Sequence, residues 1–199
     1  MIKNIIFDFG DIFINLDKPA TAREMKKYGF KTITPELDVL FKQFEMGLVT
    51  SDEFLNRTGR VFPQASRQNL IKAWNAILLD FPETRLAFLE ELAAKKEYRL
   101  FLLSNTNELH IESVQHKMGA LWPRFKNAFE NFYLSHEIKK RKPNPDIFLY
   151  VLSANELLPE ETFFVDDTKE NTDAAARLGI KTWNLIVGEE DITELKSRL

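Results

Sequence analysis

The chain has 199 residues, 44% of them hydrophobic and 29% charged, a composition able to bury one sizeable core. Its 27 basic and 30 acidic side chains leave a formal charge of -3, so no global field draws it to nucleic acid or to an anionic membrane. With 0 cysteines it forms no disulfide, thiolate metal site or Cys nucleophile. No apolar run has the length of a membrane span or the layout of a signal peptide, and the expected location is cytoplasmic.

The segment Ile2–Phe7, rich in Ile and interrupted only by Lys3 and Asn4, reads as a strand buried on both faces and ending at Asp8-Phe9-Gly10. From about Lys18 to Phe81 the apolar spacing becomes helical. Leu37, Leu40, Phe41 and Phe44 form one stripe and Leu70, Trp74, Ile77 and Leu78 another, while Thr50 and Glu53 have capping-box spacing. A helix bundle over residues 17–81 follows, with Phe41, Phe44, Met46 and Trp74 read as its core. Beyond Pro82 helices and strands alternate: helix Thr84–Lys96, strand Tyr98–Leu103, helix Glu108–Met118, strand Asn131–Ser135, helix Asp146–Leu157, strand Thr162–Val165 and helix Lys169–Leu178 closed by Gly179. A strand Lys181–Val187 and a short helix Ile192–Leu199 end the chain. This order predicts an α/β fold, a Rossmann-like doubly wound parallel sheet built from residues 1–16 and 82–199, with the all-α bundle inserted after the first strand.

In such a sheet the carboxyl ends of the strands share one edge, and ligands gather there. Asp8, Ser104, Lys142 and the pair Asp166-Asp167 all fall at strand or loop ends. Taken singly, Asp8 is equally a turn cap before Gly10, Ser104-Asn105-Thr106-Asn107 a helix cap, and Lys139-Lys140-Arg141-Lys142 a solvated charge run. The acidic pair is harder to place that way, because adjacent like charges at the end of a buried strand call for a cation. Brought together, a carboxylate, a hydroxyl, an ammonium and an acidic pair suit magnesium and a phosphoryl group.

These motifs resemble those of the haloacid dehalogenase-like hydrolase superfamily, within it the phosphatases with a small helical (C1-type) cap. The resemblance rests on Asp8-Phe9-Gly10-Asp11-Ile12, Leu103-Ser104-Asn105, Lys142-Pro143 and Val165-Asp166-Asp167 with Asn171. It implies that Asp8 attacks phosphorus and forms an aspartyl-phosphate, that Ser104, the Asn105 backbone N–H and Lys142 bind the phosphoryl group, and that Mg²⁺ is held by Asp8, the Gly10 carbonyl and Asp167, with Asp166 and Asn171 acting through water. Most of these phosphatases carry a second Asp where this chain has Gly10; the glucose-1-phosphatase-like members also have Gly there. Asp11 is a poor substitute if the strand continues, since neighbouring side chains then face opposite ways. The expected substrate is a small phosphorylated metabolite, a sugar phosphate first, and the expected assembly a monomer or homodimer. Competing readings are a metal-independent 2-haloacid dehalogenase, a receiver domain, whose motif order differs, and an inert phospho-ligand binder. Substrate contacts are expected in the bundle, with the Glu45-Met46-Gly47 loop the first guess and Met46 the residue to change. His110, His116 and His136 show no metal-ligand spacing and are read as surface or edge residues.

Overall fold

The computed structural model describes all 199 residues. Strand β1 (Asn4–Phe7) leads into four helices, α1 (Ala20–Met25), α2 (Pro35–Glu45), α3 (Ser51–Val61) and α4 (Arg67–Asn75). There follow α5 (Glu83–Lys95), β2 (Arg99–Ser104), α6 (Glu108–Met118), α7 (Leu121–Asn127), β3 (Asn131–Leu134), α8 (Ser135–Ile138), α9 (Pro145–Ala154), β4 (Thr162–Asp166), α10 (Lys169–Ala176) and β5 (Lys181–Asn184). The five strands form one parallel sheet in the order β3-β2-β1-β4-β5. The order reverses between β1 and β4, and that reversal opens a crevice at their carboxyl ends.

Period-two alternation sorts the strand side chains between two layers. Ile5, Phe7, Leu100, Leu102, Phe163 and Val165 pack with Leu86 and Leu89 of α5, Val114 of α6 and Phe125 of α7. Ile6, Phe101, Leu103 and Phe164 pack on the other face with Ile147, Phe148 and Val151 of α9 and Ala174 and Ala175 of α10. A third cluster, including Leu37, Leu40, Phe44, Phe54 and Leu70, belongs to the helical insert and takes in Leu109 of α6. Side-chain oxygens start three of the insert's helices: Thr34 accepts from Leu37 N, Thr50 from Glu53 N and Ser66 from Asn69 N.

Several sequence expectations need correction. The stripe Leu70-Trp74-Ile77-Leu78 does not lie on one helix: α4 stops at Asn75, and Leu78 pairs antiparallel with Leu16 in the double linker between insert and sheet. Helices α7 and α8 are additional, the first short and carrying Pro123, whose missing N–H is harmless in a first turn. The last strand ends at Asn184, where the side-chain amide donates to the carbonyls of Asp166 and Asp167, and Glu190 accepts from Ile186 N, turning the chain away from the ladder. The final helix is a 3₁₀ segment, Ile192–Ser197.

Candidate active site

The register places the acids before any side-chain contact is considered. Phe7 is level with Leu102 and Val165, so Asp8 and Asp166 stand next to each other across the reversal point, with Ser104 on the neighbouring strand. Asp8 N still donates to the Val165 carbonyl at 2.9 Å. Lys142, from the loop before α9, reaches in between: its Nζ lies 2.8 Å from Asp8 Oδ1 and 2.6 Å from Asp166 Oδ2, and the residue is only 1% exposed. Asn105 fixes that lysine's main chain, its Oδ1 accepting from Lys142 N at 2.8 Å and its Nδ2 donating to the Lys142 carbonyl at 2.9 Å. Ser104 is buried at the end of β2.

Asp166 is fully buried and saturated with donors. Beyond Lys142 it accepts from Thr168 N at 2.8 Å and from Asn171 Nδ2, 3.0 Å from each oxygen. Asn171 is thereby turned onto Asp166. Asp167 has a different partner, the ammonium of Lys18, which also lies 3.1 Å from Asp11 Oδ2. Asp11 is not on a continuing strand: the backbone leaves extended geometry after Asp8, Asp11 sits at φ 55°, and its carboxylate accepts from Leu16 N at 2.9 Å. The premise that strand geometry aims Asp11 away from Asp8 therefore does not hold, and Asp11 reaches the site's rim through Lys18.

Burial pushes the Asp8 carboxyl up to about 7, with Lys142 opposing and Asp166 reinforcing the shift. Burial likewise raises Asp167 despite its Lys18 partner. For Lys142 burial favours the neutral amine, but Asp166 and Asp8 outweigh it and hold the ammonium charged. One carboxylate oxygen from each of Asp8, Asp166 and Asp167 lies within 4.8 Å of the others. When ionised, the four carboxylates, Asp11 included, exceed the two ammonium groups of Lys18 and Lys142. Hard oxygen donors with surplus negative charge fit a divalent cation such as magnesium.

At Gly10 the space beside the backbone is taken by the end of the Leu16 side chain. A Cβ on Gly10 would stand 2.7 Å from Leu16 Cδ1 and 3.9 Å from Asp8 Oδ2. Leu16 thus fills the region into which an acid at position 10 would project.

Two adjoining cavities lie over the strand ends. The smaller, about 120 Å³, is walled by Gly10, Leu16, Ser104 and Asn105; the larger, about 230 Å³, lies inside the helical insert; Glu45, Ile77 and His110 belong to both walls. Phe44 is buried in the insert as expected, whereas Phe41 and Trp74 are partly exposed to the larger cavity. Glu45 lines both cavities and Met46 neither, which moves the interest in that loop by one residue. The loop is docked on the sheet domain: Arg141 pairs with Glu45 at 2.9 Å, Ser135 Oγ lies 2.5 Å from the Glu45 carbonyl, and Lys139 Nζ donates to the Gly47 carbonyl at 2.6 Å. Gly47 lies at φ 59°, and a Cβ there would meet the His136 carbonyl at 2.1 Å.

His110, expected at the surface or an edge, is half-buried between α4 and α6. Its ring stacks on Trp74 at 5.3 Å, Nδ1 lies 3.1 Å from Asn107 Nδ2, and Nε2 lies 3.2 Å from the Trp74 carbonyl. Asn107 Oδ1 accepts from Trp74 Nε1 at 3.2 Å, closing a lock between insert and α6. Burial lowers the His110 pKa to about 4, so the ring is neutral near pH 7. His136 is half-buried with Nδ1 unpartnered, and His116 is exposed. No spacing signal marks Lys18, Glu45 or His110; only the helical start after Asn107 hints that His110 sits in the first turn behind the strand end. A wider depression of about 580 Å³ at the opposite edge of the sheet, lined by Lys3, Arg99, Glu130 and Glu156 among others, holds none of these residues.

The class defined by this arrangement is a doubly wound α/β protein with a helical insertion after β1 and an acidic, lysine-bridged site at the point of strand reversal. The chain belongs to the haloacid dehalogenase-like hydrolases, whose family description matches residues 5–185. It is 27% identical over 190 residues to a D-ribitol-5-phosphate phosphatase of Bacteroides thetaiotaomicron, covering 92% of this chain and 91% of that protein. Its structure is similar to that of a HAD family enzyme from the same organism in complex with magnesium and inorganic phosphate, at 36% identity and TM-score 0.82, covering 96% of this chain and 97% of the other. A HAD-like family hydrolase of Porphyromonas gingivalis is similar at 32% identity and TM-score 0.84, covering 100% and 98%.

Proposed function

We propose that the protein is a magnesium-dependent phosphatase that hydrolyses a small phosphorylated metabolite through an aspartyl-phosphate on Asp8. The observation that carries this reading is the convergence of Asp8, Asp166, Asp167 and Lys142 in a buried site with surplus negative charge, beside Ser104 and Asn105. The relative that acts on D-ribitol 5-phosphate and the similar structure holding magnesium and phosphate support it.

Residues 1–16 and 82–199 act as the catalytic core and 17–81 as a small cap, in a chain of the subgroup with Gly10 in place of a second acid. Asp8, the Gly10 carbonyl and Asp167 hold the metal, while Asp166, spent on Lys142, Thr168 and Asn171, keeps the lysine and the metal side in register. The bound ion supplies charge neutralisation at the phosphoryl oxygens. Ser104, the Asn105 N–H and Lys142 bind those oxygens, and positioning accounts for most of the rate. An Asp8 oxygen attacks phosphorus, the P–O bond to the alcohol breaks, and the leaving oxygen takes a proton from water because position 10 offers no acid. A second water attacks the aspartyl-phosphate, gives up its proton to solvent, and releases inorganic phosphate with Asp8 restored. Lys142 keeps its proton throughout, bridging Asp8 and Asp166.

The dehalogenase alternative needs no metal and leaves the surplus acids without purpose. Sugar and polyol phosphates form the first substrate panel. Phosphate release measured with magnesium and with a chelator tests the reading: metal-dependent turnover of at least one monoester is expected, and metal-independent turnover or none refutes it.

A further inference from the structure

The wall of the larger cavity holds information about the alcohol that leaves. Phe41, Phe54, Trp74, Met25, Leu70 and Ile77 supply rings and alkyl groups. Its polar side chains are already occupied within the protein. Thr21 Oγ1 donates to the Trp74 carbonyl at 3.2 Å, Thr58 Oγ1 to the Phe54 carbonyl at 2.8 Å, and His110 is held by Asn107 and Trp74. The two charged members are held as well, Lys18 by Asp11 and Asp167 and Glu45 by Arg141. The acceptor left over, Glu45 Oε1, belongs to the end shared with the smaller cavity, whereas Met25, Phe30, Ile33, Phe54, Phe62 and Leu70 in the same wall offer no side-chain partner to a row of hydroxyls, and a hydroxyl buried without a partner is disfavoured.

The cavity also stands in the right place. Lys18 is in its wall while touching Asp167, and Glu45, Ile77 and His110 are shared with the smaller cavity against Gly10, Ser104 and Asn105. In the smaller cavity Leu16 stands beside Gly10, at the position where other enzymes of this kind would place a carboxylate. Apolar surface therefore begins at the phosphoryl pocket and deepens into the insert.

We propose that this cavity receives the leaving group, and that the preferred substrate is a phosphomonoester whose alcohol is apolar at its far end, an alkyl or aryl group in place of a fully hydroxylated chain. Its 230 Å³ correspond to roughly eight water volumes at ~30 Å³ each, room for a chain of roughly six to eight carbons. The proposal rests on the phosphatase reading and narrows it away from the sugar phosphates of the first panel.

A homologous series of n-alkyl phosphates, ethyl to octyl, compared with D-ribitol 5-phosphate in the presence of magnesium, tests it. kcat/KM is expected to rise about fourfold per methylene until the cavity is full and then to fall, with hexyl phosphate well above ribitol phosphate. Ala22→Phe, on the half-exposed side of the wall, should move the optimum to shorter chains. A flat or falling series, or ribitol phosphate as the best substrate, overturns the inference while leaving the phosphatase reading in place. Should no ester turn over, the phosphatase reading fails on its own. Calorimetric binding of the same series to Asp8→Asn then judges the cavity alone: affinity climbing with chain length upholds it, and equal affinity for ethyl and hexyl phosphate refutes it.

Discussion

At the sheet edge every charge has a partner: Lys142 lies between Asp8 and Asp166, Asn171 and Thr168 complete Asp166, and Lys18 spans Asp11 and Asp167. In the insert above, Phe41, Phe54 and Trp74 surround a cavity lined mainly by rings and alkyl groups, where Thr21 and Thr58 donate to backbone carbonyls. The first region resists change because removing one partner strands another charge in low dielectric, whereas the second tolerates change in side-chain size while its choice of ligand shifts. The charged edge and the apolar cavity are thus held by different forces in different segments of chain, joined by the Trp74–Asn107–His110 lock and the Glu45–Arg141 pair.

Substitutions can break the comparison at its charged end. Asp8→Asn keeps the shape of the site and removes the proposed nucleophile, so magnesium-dependent phosphate release should drop by roughly 10³-fold or more in single-turnover assays. Full turnover in this variant would refute the assignment. Lys142→Met leaves two buried carboxylates facing each other and should lower stability by about 3–5 kcal/mol in urea unfolding at pH 7.5 without metal. A loss below 1 kcal/mol would mean that the lysine is not the charge that holds the edge together.

A third measurement concerns the proton on Asp8. Its carboxyl is raised from 3.8 to about 7 in the folded protein, so the metal-free fold loses stability as pH rises through that window. Magnesium requires the carboxylate and displaces the proton, so affinity should fall about tenfold per unit below pH 7 and level off above it. Calorimetry in buffers of different ionisation enthalpy reads the proton release directly; a pH-independent affinity sinks the idea. The smallest effect lies at the join between the two regions. Gly10→Asp should cost about 1 kcal/mol or less in urea unfolding, because the added Cβ meets only the movable end of the Leu16 side chain. A large gain in turnover from Gly10→Asp alone would show instead that the missing acid limits the enzyme.

Asp8, Ser104, Lys142 and Asp166-Asp167 were legible because each interrupts an apolar or Pro-bounded segment with a polar group at a strand or loop end, and a parallel sheet gathers such ends on one edge. The helical insert was legible from its spacing of three and four. Lys18, Leu16 and His110 were not, and the Glu45-Met46-Gly47 loop was singled out only as a loop, with Met46 preferred to Glu45, since each looks like an ordinary linker, core or helix residue until the linker, the α2–α3 loop and α6 are folded against one another. The direction of Asp11 was not legible, because it depends on a left-handed turn that alternation does not foresee.

Local pattern decided the elements, their parallel alternation and the identity of the polar ends, because burial periodicity and turn chemistry act over a few residues. Which charges pair, how full each carboxylate becomes and what lines the cavity were decided by packing. Those contacts join residues as far apart as Asp8 and Lys142, and burial alone sets whether such groups keep their charge.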